Sequence, residues 1–293
     1  MSPAEQQFLS RNKLPESYLL SAARWFSPLL EKYQSAADKP LIIGINGSQG
    51  SGKSTLADYL CSMLNERYQL RCVSLSLDDF YLTKRQRQQL AKQVHPLLAT
   101  RGVPGTHDIP LALETIAKLV DGSAETPIPR FDKSRDDRMP EAQCDRISGA
   151  VDIIVFEGWC VGAQAQSDEQ LIEPVNSLES EQDADLVWRI SVNQALAGEY
   201  QVLFGLLDEL IMLQAPSFES VFNWRLEQEE KLAASLGNSA SDKHQGIMSA
   251  TQIGEFIAHY QRITEHSLGE MPRRADHLFR LDSQRQIVDY LHH

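Results

Sequence analysis

Apolar residues recur at helical spacing between Ser17 and Tyr33, where Leu19, Leu20, Ala23, Trp25, Phe26, Leu29 and Leu30 predict an amphipathic helix packed on the domain C-terminal to it. The pattern changes after Pro40. A continuous run, Leu41-Ile42-Ile43-Gly44-Ile45, predicts a short strand buried on both faces, as strands of parallel sheets are. Further strands are predicted at Arg71 to Ser76, Asp152 to Phe156, Glu209 to Leu213 and His277 to Leu281, separated by helical periodicity or loops. Such alternation implies an α/β chain around a parallel sheet.

Three segments break the alternation. Phe80 to Gly149 is the longest stretch without an obvious strand and is rich in Arg, Lys, His, Asp and Pro, so it is expected to be a functional insertion. Gln164 to Asp185 carries many acids and is expected as a solvated loop. Gly237 to Gln245 is small and polar between two helical patterns, which suits a lid or a plain loop. The expected organisation is a helical extension over 1–39 and one domain over 40–293, with the insertion at about 80–149.

Charge narrows the classes of partner. The 293 residues carry a formal net charge of -12, which argues against an extended nucleic-acid footprint and means that an anionic small molecule needs a local basic pocket. Cys61, Cys72, Cys144 and Cys160 show no ligand spacing and read as reduced thiols. No apolar stretch approaches the ~20 residues of a membrane span, and Met1 to Leu14 lacks an apolar signal core, so the expectation is a cytoplasmic protein without membrane contact.

The first strand runs into Gly47-Ser48-Gln49-Gly50-Ser51-Gly52-Lys53-Ser54-Thr55, followed by a helical pattern with Leu56, Tyr59, Leu60 and Met63 on one face. A polyphosphate is best held by successive backbone N–H groups aimed at one point, and glycines permit that loop. The strand, loop and helix order predicts an ATP-binding P-loop, with Lys53 on the β and γ phosphates and Ser54 on magnesium. Strand two leads into Asp78-Asp79-Phe80-Tyr81, placing two acids at the carboxyl end of a parallel strand, where open α/β sheets bind ligands. Asp78 suits a general base toward an acceptor hydroxyl, or a helix cap beside a solvated Asp79. Strand three ends in Phe156-Glu157-Gly158, with Glu157 placed to order a magnesium ion.

Taken together, GSQGSGKS, SLDDFYLT, the run His95 to Asp108, PRFDKSRDDR and VFEGWCVG resemble the D-glycerate 3-kinase family of plants, fungi and bacteria. The same blocks look like distant relatives of uridine kinase, phosphoribulokinase and bacterial pantothenate kinase. The resemblance covers most of Pro40 to Leu281 and leaves out the first forty residues and Gln164 to Asp185. It implies a P-loop kinase fold, three layers α/β/α around a parallel sheet with helical excursions. It also implies Asp78 as base, with a place near the metal, Glu157 beside the magnesium, and Arg225 in Phe222-Asn223-Trp224-Arg225-Leu226-Glu227-Gln228-Glu229 as a lid arginine. A surface ion pair of Arg225 with Glu229 at i+4 is the bland alternative. The family's acceptor contacts map onto Arg130 and Lys133, with Asp79, Tyr81 and His107 as further candidates. Arg101, Arg135 and Arg138 complete a basic surplus suited to a carboxylate. Trp188 to Asn193 departs from the plant pattern and looks like a bacterial or fungal branch.

The implied activity is magnesium-dependent transfer of the ATP γ-phosphoryl to the 3-hydroxyl of D-glycerate. The residues alone also suit a kinase of a nucleoside, pantothenate-like acid or sugar, or a nucleotide-dependent regulatory protein with no small acceptor.

Overall fold

The computed structural model describes residues 1–35, 40–236 and 248–293, with the backbone alone over 232–236. The Gly237 to Gln245 segment, expected as a lid or loop, lies outside the described residues.

Two helices open the chain, α1 (Pro3–Asn12) and α2 (Ser17–Gln34). The polar first segment carries no strong helical signal, yet Ser2 and Glu5 close a reciprocal capping box and Phe8 is buried against Tyr59, ring centroids 5.5 Å apart. The buried face of α2 is Ala22, Phe26, Leu29, Leu30 and Tyr33, one step rotated from expectation, and Leu20 turns to solvent. Then come β1 (Leu41–Gly47), α3 (Lys53–Tyr68), β2 (Cys72–Ser76), α4 (Lys84–Gln93) and α5 (Ile109–Asp121). The insertion adds four two-residue strands that pair as two small antiparallel ladders, β3 (Thr126–Pro127) with β6 (Arg146–Ile147) and β4 (Phe131–Asp132) with β5 (Asp137–Arg138). Segments this short leave no periodicity to read.

Next come β7 (Ile153–Gly158), α6 (Asp168–Ile172), α7 (Ser177–Gln182), α8 (Val187–Ala197) and α9 (Glu199–Phe204). The chain continues through β8 (Glu209–Gln214), α10 (Phe218–Leu236), α11 (Ala250–Glu270), β9 (His277–Leu281) and β10 (Ile287–His292). The central sheet has the order β10-β9-β8-β1-β7-β2, parallel throughout except for the β10 edge. All five strands expected from sequence are present. The sixth, β10, is a half-exposed edge strand whose weak alternation carries no signal.

Side chains alternate across this sheet. Ile43, Ile45, Ile153, Val155, Ile211 and Leu213 enter one core with α1, α2 and α3. Ile42, Ile154, Phe156, Leu210 and Met212 enter the other with α5, α8, α9 and α11. The result is the expected three-layer P-loop architecture, and the N-terminal helices share its first core.

The acidic segment Gln164 to Asp185 is solvated only in part: Asp168, Glu169, Glu173, Glu181 and Asp185 are exposed as expected, but the segment is not a plain loop. It holds α6 and α7, and Glu179 and Asp183 are 0% and 2% exposed. Glu179 accepts from Arg262 Nε at 2.7 Å and Nη2 at 2.6 Å and pairs with Arg189 at 3.3 Å, while Asp183 accepts from the Trp188 N–H at 2.7 Å. The arginines that neutralise Glu179 lie 10 and 83 positions away in the chain, too scattered for composition to reveal them.

Candidate active site

The root of the phosphate loop is fixed by Asn46, whose buried amide donates to the carbonyls of Trp159 at 3.2 Å and Val161 at 2.8 Å beyond β7. Beyond it the chain turns through Gly50 at φ +80° and Gly52 at φ +93°, a region that side chains with a Cβ rarely adopt. A Cβ on Gly50 would also stand 2.8 Å from the Cβ of Trp224 on α10. Gly52 caps α3 without any side-chain hydrogen bond, so the first-turn N–H groups face outward from the helix with their partial positive charge. Ser48 Oγ, Gln49 Oε1 and Ser51 Oγ are buried here with no protein partner among the described residues. Buried polar atoms are nearly always paired, so three orphans on one loop mark where a polar ligand completes the structure.

Glu157 ends β7 opposite this loop, in parallel register with Ile45 of β1 and Ser76 of β2. Its Oε1 accepts from Ser54 Oγ at 2.9 Å, and its Oε2 is buried without a hydrogen bond, 4.0 Å from Lys53 Nζ. A hydroxyl and a carboxylate with one uncommitted oxygen are the hard donors that magnesium takes beside phosphate oxygens, so the residues fit that ion. Thr55 lies on the first turn of α3 and lines a cavity that opens on the phosphate loop.

β2 ends in a tight turn over Leu77–Phe80, and the two acids on it have different surroundings. Asp78 accepts from Tyr81 Oη at 2.7 Å and Lys133 Nζ at 2.7 Å. Burial works against its charge, but Lys133 and Lys53 outweigh it and hold the carboxyl down at about 2. Asp79 accepts from Arg130 at 2.9 Å and from the Phe131 N–H at 3.1 Å, and burial leaves it above the usual range despite Arg130. Asp79 therefore anchors the insertion to the sheet and is not solvated.

His107 is buried, stacked on Tyr81 at 4.5 Å between centroids, with Nδ1 on the Tyr200 hydroxyl. Burial pushes it to about 3 against the opposing influence of Asp78, so the ring is neutral. The basic surplus is largely paired inside the insertion: Arg101 and buried Arg87 with Asp136, Arg138 with Asp108 at 2.9 Å, Arg130 with Asp79, Lys133 with Asp78. Lys133 is the most solvent-exposed of these cations, its side chain 60% accessible.

Arg225 projects from α10 and pairs with Glu229 at 2.7 Å, the i+4 geometry that the spacing allows. The partner is buried rather than on the surface, and its other oxygen accepts from the Met248 N–H at 2.9 Å. Tyr260 of α11 sits within electrostatic reach of both Asp78 and Arg225, its hydroxyl donating to the Arg101 carbonyl at 3.1 Å. Direct contacts thus join Lys53 and Ser54 to Glu157, and Tyr81 and Lys133 to Asp78, and the charge of Lys53 reaches Asp78 across the two groups, while Arg225 is held on α10. Three groups are not legible in the sequence: Tyr200, which holds His107; Trp224, which seats α10 on Gly50; and the turn after β9, whose Ser283 carbonyl accepts from Trp224 Nε1 at 2.7 Å. Tyr200 sits in an ordinary apolar helical pattern, and the turn is a polar run like any other, so neither carries a signal.

No protein-family model matches the chain. It is 37% identical over 240 residues to an uncharacterized kinase of Schizosaccharomyces pombe, covering 79% of this chain and 82% of that one. A chloroplastic D-glycerate 3-kinase of Arabidopsis thaliana is 30% identical over 240 residues, covering 75% of this chain and 46% of the plant protein. Among solved structures, D-glycerate 3-kinase from Cryptococcus neoformans aligns with TM-score 0.75 and 27% identity over 95% of this chain and 100% of that one. The phosphate loop, the acids at the strand ends and these relatives agree: the chain belongs to the D-glycerate 3-kinase family of P-loop kinases, ATP-dependent phosphotransferases with a hydroxyl acceptor.

Proposed function

We propose that the chain phosphorylates the 3-hydroxyl of D-glycerate with ATP and magnesium, giving 3-phosphoglycerate and ADP. The observation that carries this is the Asp78–Lys133 pair at the end of β2, a carboxylate and an exposed cation 2.7 Å apart beside the phosphate loop. An acceptor bearing both a hydroxyl and a carboxylate complements such a pair, with its hydroxyl on Asp78 and its carboxylate on Lys133 and Arg130. The relatives named as D-glycerate 3-kinases support the same acceptor.

In this mechanism the acceptor oxygen attacks the γ-phosphorus, the bond to the β–γ bridging oxygen breaks, and Asp78 takes the hydroxyl proton. Lys53 and the α3 N-terminus neutralise the phosphates, and Arg225, once released from Glu229, stabilises the transferring group. Magnesium, held by Ser54 and Glu157 with Asp78 in its vicinity, supplies charge neutralisation when bound. Asp78 at about 2 is a weak base while Lys133 sits on it. When the acceptor carboxylate draws Lys133 away, the largest charge holding that pKa down is removed and the base strengthens. Acceptor binding and activation are thereby coupled.

A panel of D-glycerate, L-glycerate, glycerol, uridine and pantothenate, assayed by ADP release, tests the assignment. D-glycerate should exceed every other acceptor in kcat/KM by roughly 10²-fold or more, about 2.7 kcal/mol of discrimination from the carboxylate and its orientation. A different best acceptor would reassign the substrate, and slow hydrolysis that no alcohol stimulates would point to a regulatory protein instead.

A further inference from the structure

A cavity of about 660 Å³ opens on the phosphate loop from Gly50 to Leu56. That is within the ~300–1,000 Å³ of small-molecule sites. Neither Asp78 nor Glu157 lines it, and neither does any residue of the insertion, so it is not the acceptor side of the loop. Its polar walls beyond the loop include Ser17, Tyr18 and Ser21 of α2, Gln228 of α10, and Gln284 and Gln286 of the turn between β9 and β10, and Leu213 of β8 and Leu281 of β9 add apolar surface.

Two features of this lining point to a ligand. No Asp or Glu takes part, although acids outnumber Lys and Arg by 40 to 28 in the chain. The two cations that line it beyond the loop, Lys231 and Arg285, are both paired with Glu227, and the rest of that lining is aromatic ring, aliphatic carbon, hydroxyls and neutral amides. That chemistry suits a flat heterocycle with apolar faces and a polar edge, joined to a hydroxylated sugar. The walls are also tied together. Trp224 packs on Gly50 and donates to Ser283, and α2 is seated by Phe26 against Tyr59 of α3, 5.9 Å between centroids, and against Phe279 of β9 at 5.3 Å.

We propose that α2, in the N-terminal extension, closes the nucleoside end of the nucleotide site, so that the base and ribose of a nucleoside triphosphate lie between its Ser17–Ser21 face and the Gln284–Gln286 turn. This rests on the nucleotide assignment of the phosphate loop. It makes the extension a working part of the enzyme rather than a packing appendage.

The test compares binding of ATP with binding of inorganic tripolyphosphate, by calorimetry on the full chain. Ser21 is exposed on the cavity wall, so Ser21→Trp fills the space without entering the core. Leu20→Trp, at a position 77% exposed and off the cavity, is the control. Ser21→Trp should weaken ATP by about tenfold or more while tripolyphosphate stays within about twofold, and Leu20→Trp should change neither. If Ser21→Trp does not fold, Ser17→Trp, one turn earlier on the same face, carries the same expectation. The proposal is overturned if the filled variant binds ATP as the parent does, or loses ATP and tripolyphosphate equally. Failure of the loop assignment looks different: the parent chain would not bind tripolyphosphate, or Lys53→Ala would bind it undiminished.

Discussion

Asp78 and Asp79 are adjacent in sequence and identical in chemistry, yet they differ in charge preference because of what reaches them. Lys133 and Lys53 hold Asp78 ionised, whereas Asp79 is desolvated while anchoring Arg130 and the Phe131 N–H. A carboxyl depressed to about 2 stays charged as pH falls, and it titrates only below the ordinary carboxylate range. An acid limb in kcat/KM arising from Asp78 should therefore be absent between about pH 5 and about 8. Lys133→Ala removes the largest favourable charge, so the Asp78 pKa moves up and any acid limb shifts to higher pH in a pH–rate profile. Asp78→Asn should lower turnover by roughly 10²–10⁴-fold with ATP affinity little changed. Near-normal turnover in that variant would remove Asp78 from the role of base.

At the scale of elements, the phosphate loop depends on a contact that lies more than 170 positions away in the chain. Gly50 was legible as a loop glycine from its motif, but the closeness of α10 was not, because Trp224 approaches only once β8 has brought that helix back over β1. Gly50→Ala meets two penalties. The φ of +80° costs a side chain roughly 1–2 kcal/mol, and the new methyl group would lie 2.8 Å from the Trp224 Cβ. ATP binding in this variant should weaken by about tenfold or more by calorimetry, with Trp224 fluorescence reporting the shift of α10. Unchanged affinity would show that α10 yields freely and does not set the loop. The basic insertion illustrates the opposite limit. Its cations were visible in sequence, but the partners Asp78, Asp79, Asp108 and Asp136 were only established by folding, and among the cations so paired Lys133 stays the most exposed.

For the whole molecule, the segment Gln164 to Asp185 acts as a clamp. Glu179 draws Arg189 of α8 and Arg262 of α11 into one buried cluster, reinforcing helices that also share an apolar core. Removing one partner of a buried pair leaves uncompensated charge, which typically costs about 3–5 kcal/mol. Glu179→Ala should lower the unfolding free energy by that amount in urea denaturation, while the folded fraction keeps its ATP affinity because the cluster does not line the nucleotide cavity. A change below about 0.5 kcal/mol would mean that the arginines find other acceptors. Among the described residues no helix is long and apolar enough to cross a membrane.

The sequence by itself determined the strand order's raw material and the chemistry of the loop. Apolar runs need burial on both faces, and a glycine-rich turn between strand and helix has few other uses, so local pattern sufficed for β1, the phosphate cradle and the acids closing β2 and β7. Tertiary structure alone decided which charges are spent on one another, that Arg225 rests on a buried Glu229, and that α2 and the turn after β9 stand beside the phosphate loop. Those facts depend on residues far apart in the chain meeting in space, and periodicity, which reports only on neighbours along one element, contains no information about such meetings.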